Sequence, residues 1–431
     1  MKQVKVLIYL SVFLTAQALL ATGVMAAPIT VDSKTLERLE TLIQTQQKQL
    51  EALQQEVNQL KQTATTAQTD AKEARSVAEA AQKAAPAPVD KVVTSGQERV
   101  KIVVSGQVNR AMNIAGDGDK TKAYFVDSGA SNSKLRLVGT AKVDDDLTVG
   151  SRLEIAFAPN ESSKVSQDNE ESGDFFDERY ADLSLESKRF GKLYLGKGDT
   201  ASNSSAEVDL SGTDVVQYAS IADIVGGLKF RQSGNDQLTD VTLGGAFKDY
   251  DGLSRKNRVR YDTPKYHGFS LAGSVISDQR WDASLWWAGE GYGFRTGAAA
   301  AVAGINEDNA DYQYDGSFSI LHQATGLNFT FSAGTKDTDN GSDPYNLWGK
   351  IGWQTKLTQY GMTSFGIDYG HSEHISAEND EGDSYGAAVV QSFADYGTEI
   401  YLQYRNFSLD RANDPSVSDI NVGTVGARVK F

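Results

Sequence analysis

The 431-residue sequence has no cysteine, only four histidines and only seven prolines. Without cysteine there is no disulfide framework, thiolate metal site or cysteine nucleophile, and four histidines leave little material for a histidine-rich centre. No metal or cofactor is therefore expected. With 42 Lys and Arg against 57 Asp and Glu, the net charge is -15. The chain thus lacks the overall basic footprint that binding phosphate backbones requires, and no nucleic-acid partner is expected. Past residue 26 no run of about 18 apolar residues occurs, which excludes spanning helices. Glycine (40), tyrosine (18) and phenylalanine (17) are plentiful. With so few prolines, that profile favours a large β-structure.

The first 26 residues read as an address. Lys2 and Lys5 precede an apolar run over 6–21, broken only by Ser11, Thr15 and Gln17, and Val24, Met25 and Ala26 offer an exit before Ala27. This is the pattern of a secretory signal peptide over 1–26, with a membrane anchor as the alternative reading. Export without cysteine suggests a bacterial envelope protein.

A heptad segment follows within 27–85. Leu36, Leu39, Ile43, Gln46, Leu50, Leu53, Val57 and Leu60 alternate spacings of three and four, and Ala64, Ala67, Ala71, Ala74, Ala78 and Ala81 continue the series. Seven heptads in register predict a left-handed coiled coil, hence an oligomer, with Gln46 a buried amide that fixes register. At about 1.5 Å per residue the rod would reach roughly 70 to 75 Å. Ala85-Pro86-Ala87-Pro88 stops it and opens a linker over 86–99.

From residue 100 to the last, sixteen segments alternate apolar and polar residues: 100–114, 132–142, 147–157, 175–186, 191–199, 257–263, 269–277, 280–289, 293–303, 311–322, 327–335, 345–356, 361–371, 383–393, 397–408 and 421–431. Tight turns such as 143–146, 187–190, 265–268 and 394–396 alternate with longer polar connections such as 158–174, 200–256 and 372–382. Short turns at one end and long loops at the other predict an all-β fold, a 16-stranded antiparallel transmembrane β-barrel with the coiled coil on its periplasmic side. A β-sandwich needs the same alternation, but one of this size would need several domains, whereas closure removes every edge and leaves a polar interior. The last residue is Phe431, with Val425, Ala427 and Val429 at the same parity. An aromatic closing strand of this kind resembles the assembly signal of outer-membrane barrels.

Two strands carry a more specific likeness. Asn257-Arg258-Val259-Arg260-Tyr261-Asp262-Thr263-Pro264 before Gly268-Phe269, and Phe190-Gly191-Lys192-Leu193-Tyr194-Leu195-Gly196-Lys197, resemble strands of trimeric general porins. Val104-Ser105-Gly106-Gln107-Val108-Asn109-Arg110, the text Glu207-Val208-Asp209-Leu210-Ser211-Gly212 and the heptads are similar to DcaP-type dicarboxylate-channel porins. Lys197 departs from the arginine usual in general porins, and the third loop is longer than theirs. The resemblance implies a homotrimer in outer-membrane lipid and lipopolysaccharide. It implies a third loop, 200–256, folded into the barrel, with Glu207, Asp209 and Asp214 opposite Arg136, Arg152, Arg258, Arg260 and Lys197 across the narrowest point.

Assigning the apolar face to lipid places fifteen bases inward, among them Lys134, Arg136, Arg152, Arg258, Arg260, Lys350, Arg405 and Arg428, against nine acids including Glu154, Glu178, Asp182, Asp262 and Asp368. A basic wall in a chain of negative net charge would concentrate anions, unless those charges simply pair with one another. His371-Ser372-Glu373-His374 and the carboxylate-rich Asp337 to Asp343 stretch read as surface features rather than metal sites. Trp281, Trp287, Trp353 and Tyr369 fit interfacial girdles, and Arg110 is a charge at lipid-facing parity. The expectation is passive diffusion of small hydrophilic solutes, biased to small anions such as dicarboxylates, with peptidoglycan contact through the coiled coil. A wall-binding tether and an outer-membrane enzyme are the alternatives.

Overall fold

In the computed structural model, residues 93–94, 99–173, 176–307, 309–413 and 415–431 are described. The signal peptide, the heptads and nearly all of the linker lie outside these residues. The two residues of β1 (Val93–Thr94) pair with β2 (Val100–Gly116). Sixteen antiparallel strands close a barrel: β2, β4 (Lys134–Lys142), β5 (Leu147–Ala156), β6 (Asp177–Ser187), β7 (Gly191–Asp199), β10 (Arg255–Asp262), β11 (Phe269–Ile276), β12 (Trp281–Gly291), β13 (Phe294–Glu307), β14 (Ala310–His322), β15 (Leu327–Thr338), β16 (Tyr345–Thr358), β17 (Gly361–Glu373), β18 (Glu381–Phe393), β19 (Thr398–Asp410) and β21 (Ile420–Lys430). Closure runs from Gln107 opposite Lys430 to Gly116 opposite Asn421. Gly106 and Phe431 exchange backbone hydrogen bonds at 2.9 and 3.0 Å, and the Phe431 ring lies over the bare Cα of Gly106.

The second strand of the wall departs from the sequence reading. Upper β2 pairs with an additional strand, β3 (Thr121–Asp127), and lower β2 with β4, so the strand expected over 132–142 begins at 134 and residues 128–133 separate it from an unexpected neighbour. Asp117 makes the preceding turn, its carboxylate accepting from the Lys120 amide at 3.1 Å. The period-two signal is blurred in β3 because both of its faces are apolar: Phe125 faces outward, while Tyr124 and Val126 are buried inside. The interruption is satisfied by side chains of β2. Gln107 donates to the carbonyls of Ser131 and Asn132 at 2.9 Å, and Asn109 donates to that of Ser131 at 2.9 Å.

Leu153, Leu183, Leu195, Ile351, Ile367 and Leu402 stand exposed on the outer face, the apolar band that lipid covers. Inward positions elsewhere on the wall carry small polar residues, including Ser274, Ser284, Ser317 and Ser319, all buried. Those inner hydroxyls have a use. The third loop, 200–254, runs round the inside of the wall and needs partners for its backbone. Ala201 N–H donates to Ser274 Oγ (3.0 Å), Val208 N–H to Ser317 Oγ (2.9 Å) and Leu210 N–H to Ser319 Oγ (3.0 Å). Farther round, Gln403 donates to the Val216 carbonyl (2.8 Å) and Asn113 to that of Ile224 (2.6 Å). Gly366 lets the loop come this close, since a Cβ there would lie 2.1 Å from Gln217 Oε1.

One side of the interior is therefore a packed apolar core. Loop residues Val215, Val216, Ile221, Ile224, Val225, Leu228, Phe230, Leu243 and Phe247 pack with Tyr124, Val126, Trp348, Val390, Tyr401, Phe407, Ile420 and Val422 of the wall. The expectation of a uniformly polar lumen fails here, because inward positions that meet the loop bury apolar surface against it. Above, the loop's hairpin of β8 (Lys229–Gln232) and β9 (Leu238–Thr242) pairs with β20 (Val417–Ser418) from the last connection. Arg231 of that hairpin bonds Asp117 at 2.8 Å.

Candidate channel constriction

The opposite side of the interior carries charge. Strand alternation turns Lys134 and Arg136 (β4), Arg152 (β5), and Arg258 and Arg260 (β10) inward. Arg255 joins them at the start of β10. Arg179 (β6) joins them through a register shift beside Glu154, which swings it to that carboxylate at 2.8 Å while Glu178, expected inside, is exposed. Glu154 also bonds Arg136. Asp182 takes both Arg152 and Arg258 at 2.8 Å, Asp199 takes Arg255 at 3.2 Å, and Asp262 takes Arg260 at 2.7 Å. Six guanidiniums thus share four carboxylates.

Accessibility separates them. The Arg136 and Arg152 side chains keep 37% and 23% of their surface, whereas Arg258 keeps 1%. Arg258 is structural, donating to the carbonyls of Asp199 (2.9 Å) and Gly196 (2.7 Å), while Arg260 reaches that of Thr200 (2.7 Å), where the third loop leaves the wall. Gly198 leaves the space this needs, because a Cβ there would lie 2.8 Å from both Arg258 Nη2 and Asp182 Oδ2.

The loop presents acids. Glu207, Asp223, Asp249 and Asp251 are half-buried, and among the described residues none of them has a cation within ion-pair distance. Tyr218 donates to Asp223, Ser220 to Asp249, and the amides of Ser204 (2.7 Å) and Ala206 (3.0 Å) to Asp251. Burial, reinforced by the charges of Asp249 and Asp223, pushes Glu207 up to about 8, with the field of Arg255 opposing. Burial likewise raises Asp223 to about 7 and holds Asp249 and Asp251 above the usual carboxylate range. These three aspartates line a cavity of about 640 Å³ with Lys248, Tyr250 and Gln313.

The profile of the Gram-negative porin family matches residues 64–412. The chain belongs to that family. Its fold is similar to many solved structures, among them the following three at low identity. OmpT, an outer membrane protein of Vibrio cholerae, is 14% identical over 79% of this chain and 100% of its own, with a TM-score of 0.52. An anion-selective porin from Comamonas acidovorans is 13% identical over 77% and 100%, TM-score 0.52. The outer membrane channel DcaP of Acinetobacter baumannii is 12% identical over 78% and 99%, TM-score 0.50. None of the curated proteins matches the sequence. The protein is an outer-membrane porin.

Of the residues singled out from sequence, Arg136, Arg152, Arg258, Arg260 and Glu207 come to this region of the porin. Asp209 does not, because Lys350 of β16 binds it. Asp214 is exposed, and the bases whose fields act on it are Arg428 and Lys350. Lys197 is paired with Asn257 and Ala181 and so shares the outward face of Leu193 and Leu195. Sequence reasoning passed over Arg179, Arg255, Asp249, Asp251 and Tyr180. Arg179 is out of phase with its strand and needed the bulge, while the two acids sit at the far end of a loop whose path no periodicity records. Elsewhere, His371 bonds Asp383 (2.8 Å) and Glu373 (3.0 Å) beside Tyr369 on the outer wall. Asp343 accepts from the Thr338 amide at 2.9 Å. Arg110, at lipid parity, bonds the Pro159 carbonyl at 2.8 Å and lies 3.8 Å from Asp127.

Proposed function

We propose that the porin is a homotrimeric channel for passive diffusion of small hydrophilic solutes, biased towards anions such as dicarboxylates. The observation that carries this reading is the wall of six guanidiniums sharing four carboxylates, of which Arg136, Arg152 and Arg255 keep 37%, 23% and 26% of their side-chain surface. Guanidinium suits bidentate carboxylate contact, and a positive surface in a low-dielectric channel concentrates anions. Opposite it, Glu207, Asp249 and Asp251 narrow the passage; Glu207, pushed up to about 8, carries less than full charge near neutrality, and burial holds the two aspartates above the usual carboxylate range.

The remaining assignments belong to the same reading. Residues 1–26 direct export, the heptads of 27–85 form a periplasmic coiled coil able to touch peptidoglycan, and Phe431 serves as the assembly signal. Lipid and lipopolysaccharide surround the outer wall. Reversal potentials of single channels in a KCl gradient test the function. A chloride preference supports it, a potassium preference removes the anion bias, and a barrel that passes no current would instead be an anchor for a wall tether.

A further inference from the structure

The cations of the wall do not rest on carboxylates alone. Among the described residues nine cation–ring contacts occur, and six fall on two tyrosines, Tyr180 of β6 and Tyr194 of β7. Over Tyr180 lie Arg152 at 3.7 Å and Arg136 and Arg255 at 5.5 Å. Around Tyr194 lie Lys192 at 5.1 Å, Arg258 at 5.4 Å and Arg260 at 5.8 Å. We propose that Tyr180 and Tyr194 are specificity-determining positioning residues, a two-ring spine in which Tyr180 holds the open guanidiniums of Arg136, Arg152 and Arg255 in an array able to engage both ends of a dicarboxylate, and Tyr194 braces the buried Arg258 that shares Asp182 with Arg152. This deepens, and rests on, the anion reading above.

The physical argument begins with repulsion. Cations on one wall push apart, and each carboxylate takes only one edge of a guanidinium. An aromatic face attracts a cation through its quadrupole and accepts the flat side of the group. For Arg136, Arg152 and Arg255, which stay partly exposed, that leaves further N–H edges where a second carboxylate can approach. The Tyr180 ring is itself fixed. Tyr180 is 5% exposed, and its hydroxyl bonds both oxygens of Asp199 at 2.7 Å. Gly198 supplies the room, since a Cβ there would come within 3.0 Å of the Tyr180 ring. Leucine in place of either tyrosine would fill volume but supply no quadrupole, and would leave the net charge of the wall unchanged.

Net charge and geometry can therefore be separated. In planar bilayers the native channel, Y180F/Y194F and Y180L/Y194L are compared by two measurements: the reversal potential in a KCl gradient, and the concentrations of succinate and of acetate that halve the chloride current. The native channel and the phenylalanine variant should be blocked by succinate at lower concentration than by acetate. The leucine variant should lose roughly fivefold of that discrimination, the scale of about 1 kcal/mol, while its chloride preference in KCl persists. Should Y180L/Y194L fail to assemble, Y194L, which leaves the Tyr180–Asp199 bonds in place, carries the same comparison.

Undiminished discrimination in the leucine variant would overturn the proposal. So would equal loss in the phenylalanine variant, which would assign the effect to the hydroxyls, or a parallel loss of chloride preference, which would mean that the wall had collapsed. A native channel that prefers chloride in KCl but does not discriminate succinate from acetate removes the spine's proposed role alone. One without chloride preference removes the anion reading as well.

Discussion

The ammonium of Lys350 on β16 is bonded to the carboxylate of Asp209 on the third loop, and both side chains are buried, at 0% and 3% exposure. The same nitrogen donates to Thr213 Oγ1 (2.9 Å) and to the Gln217 carbonyl (2.7 Å), so three acceptors ring it. Methionine at 350 would strand the Asp209 charge, a defect that costs about 3 to 5 kcal/mol in buried pairs. K350M should lower the thermal denaturation temperature in detergent and make spontaneous current closures more frequent. K350M/D209L should regain much of the thermal resistance, and a double variant no better than K350M would show that the pair does not fasten the loop.

The wall arginines should divide by exposure. R136Q/R152Q removes two of the accessible guanidiniums and should bring the reversal potential towards the unselective value with little loss of assembly. R258Q should instead lower folded yield, because the buried guanidinium bonds the carbonyls of Gly196 and Asp199 that seat the loop. Folded yield and reversal potential, measured side by side, distinguish the two roles. Equal behaviour of the variants would contradict this division.

Proton concentration should tune selectivity in a definite direction. Glu207, pushed up to about 8, and Asp223, up to about 7, hold protons in the folded channel that they would lose at lower pH when unfolded. Their contribution to loop stability is present below the ordinary carboxylate range and is lost as pH rises through 7 to 8. Over the same interval the acidic side gains negative charge, so anion preference should decline between about pH 6 and pH 9. E207Q should flatten the upper part of that curve. A reversal potential constant across the interval would count against the acids lining the conducting path.

The heptads can be tested separately from the barrel. If flat barrel walls hold the subunits together, deleting residues 35–85 leaves trimers and single-channel conductance intact while lowering assembly yield. Native electrophoresis and bilayer recording check both outcomes. Monomeric barrels after the deletion would make the heptads the main trimer contact.

The barrel was legible because lipid on one side and polar groups on the other write a period of two into every wall strand, as at Leu153 beside Glu154 and Arg152. Legibility ended wherever the third loop replaced water. Tyr124 and Val126 disguise β3, and Trp348, Tyr401 and Phe407 look misplaced until the loop's apolar core is set against them. The inward placing of Arg136, Arg152, Arg258 and Arg260, the basic side of the candidate constriction, followed from parity, since they lie in regular strands. The acidic half did not. Asp209 and Asp251 are equally plausible in sequence, and only the fold gives one to Lys350 and leaves the other beside Glu207.

The apolar core within the barrel touches strands far apart in sequence but adjacent in space. Ala111 and Ala115 of β2 and Ile420 and Val422 of β21, the two strands that meet last when the cylinder shuts, all contribute to it. The third loop therefore works as an internal gasket across the seam. Its apolar residues find their complete complement only after first and last strands have joined, so insertion of the loop and sealing of the wall become one cooperative event rather than two.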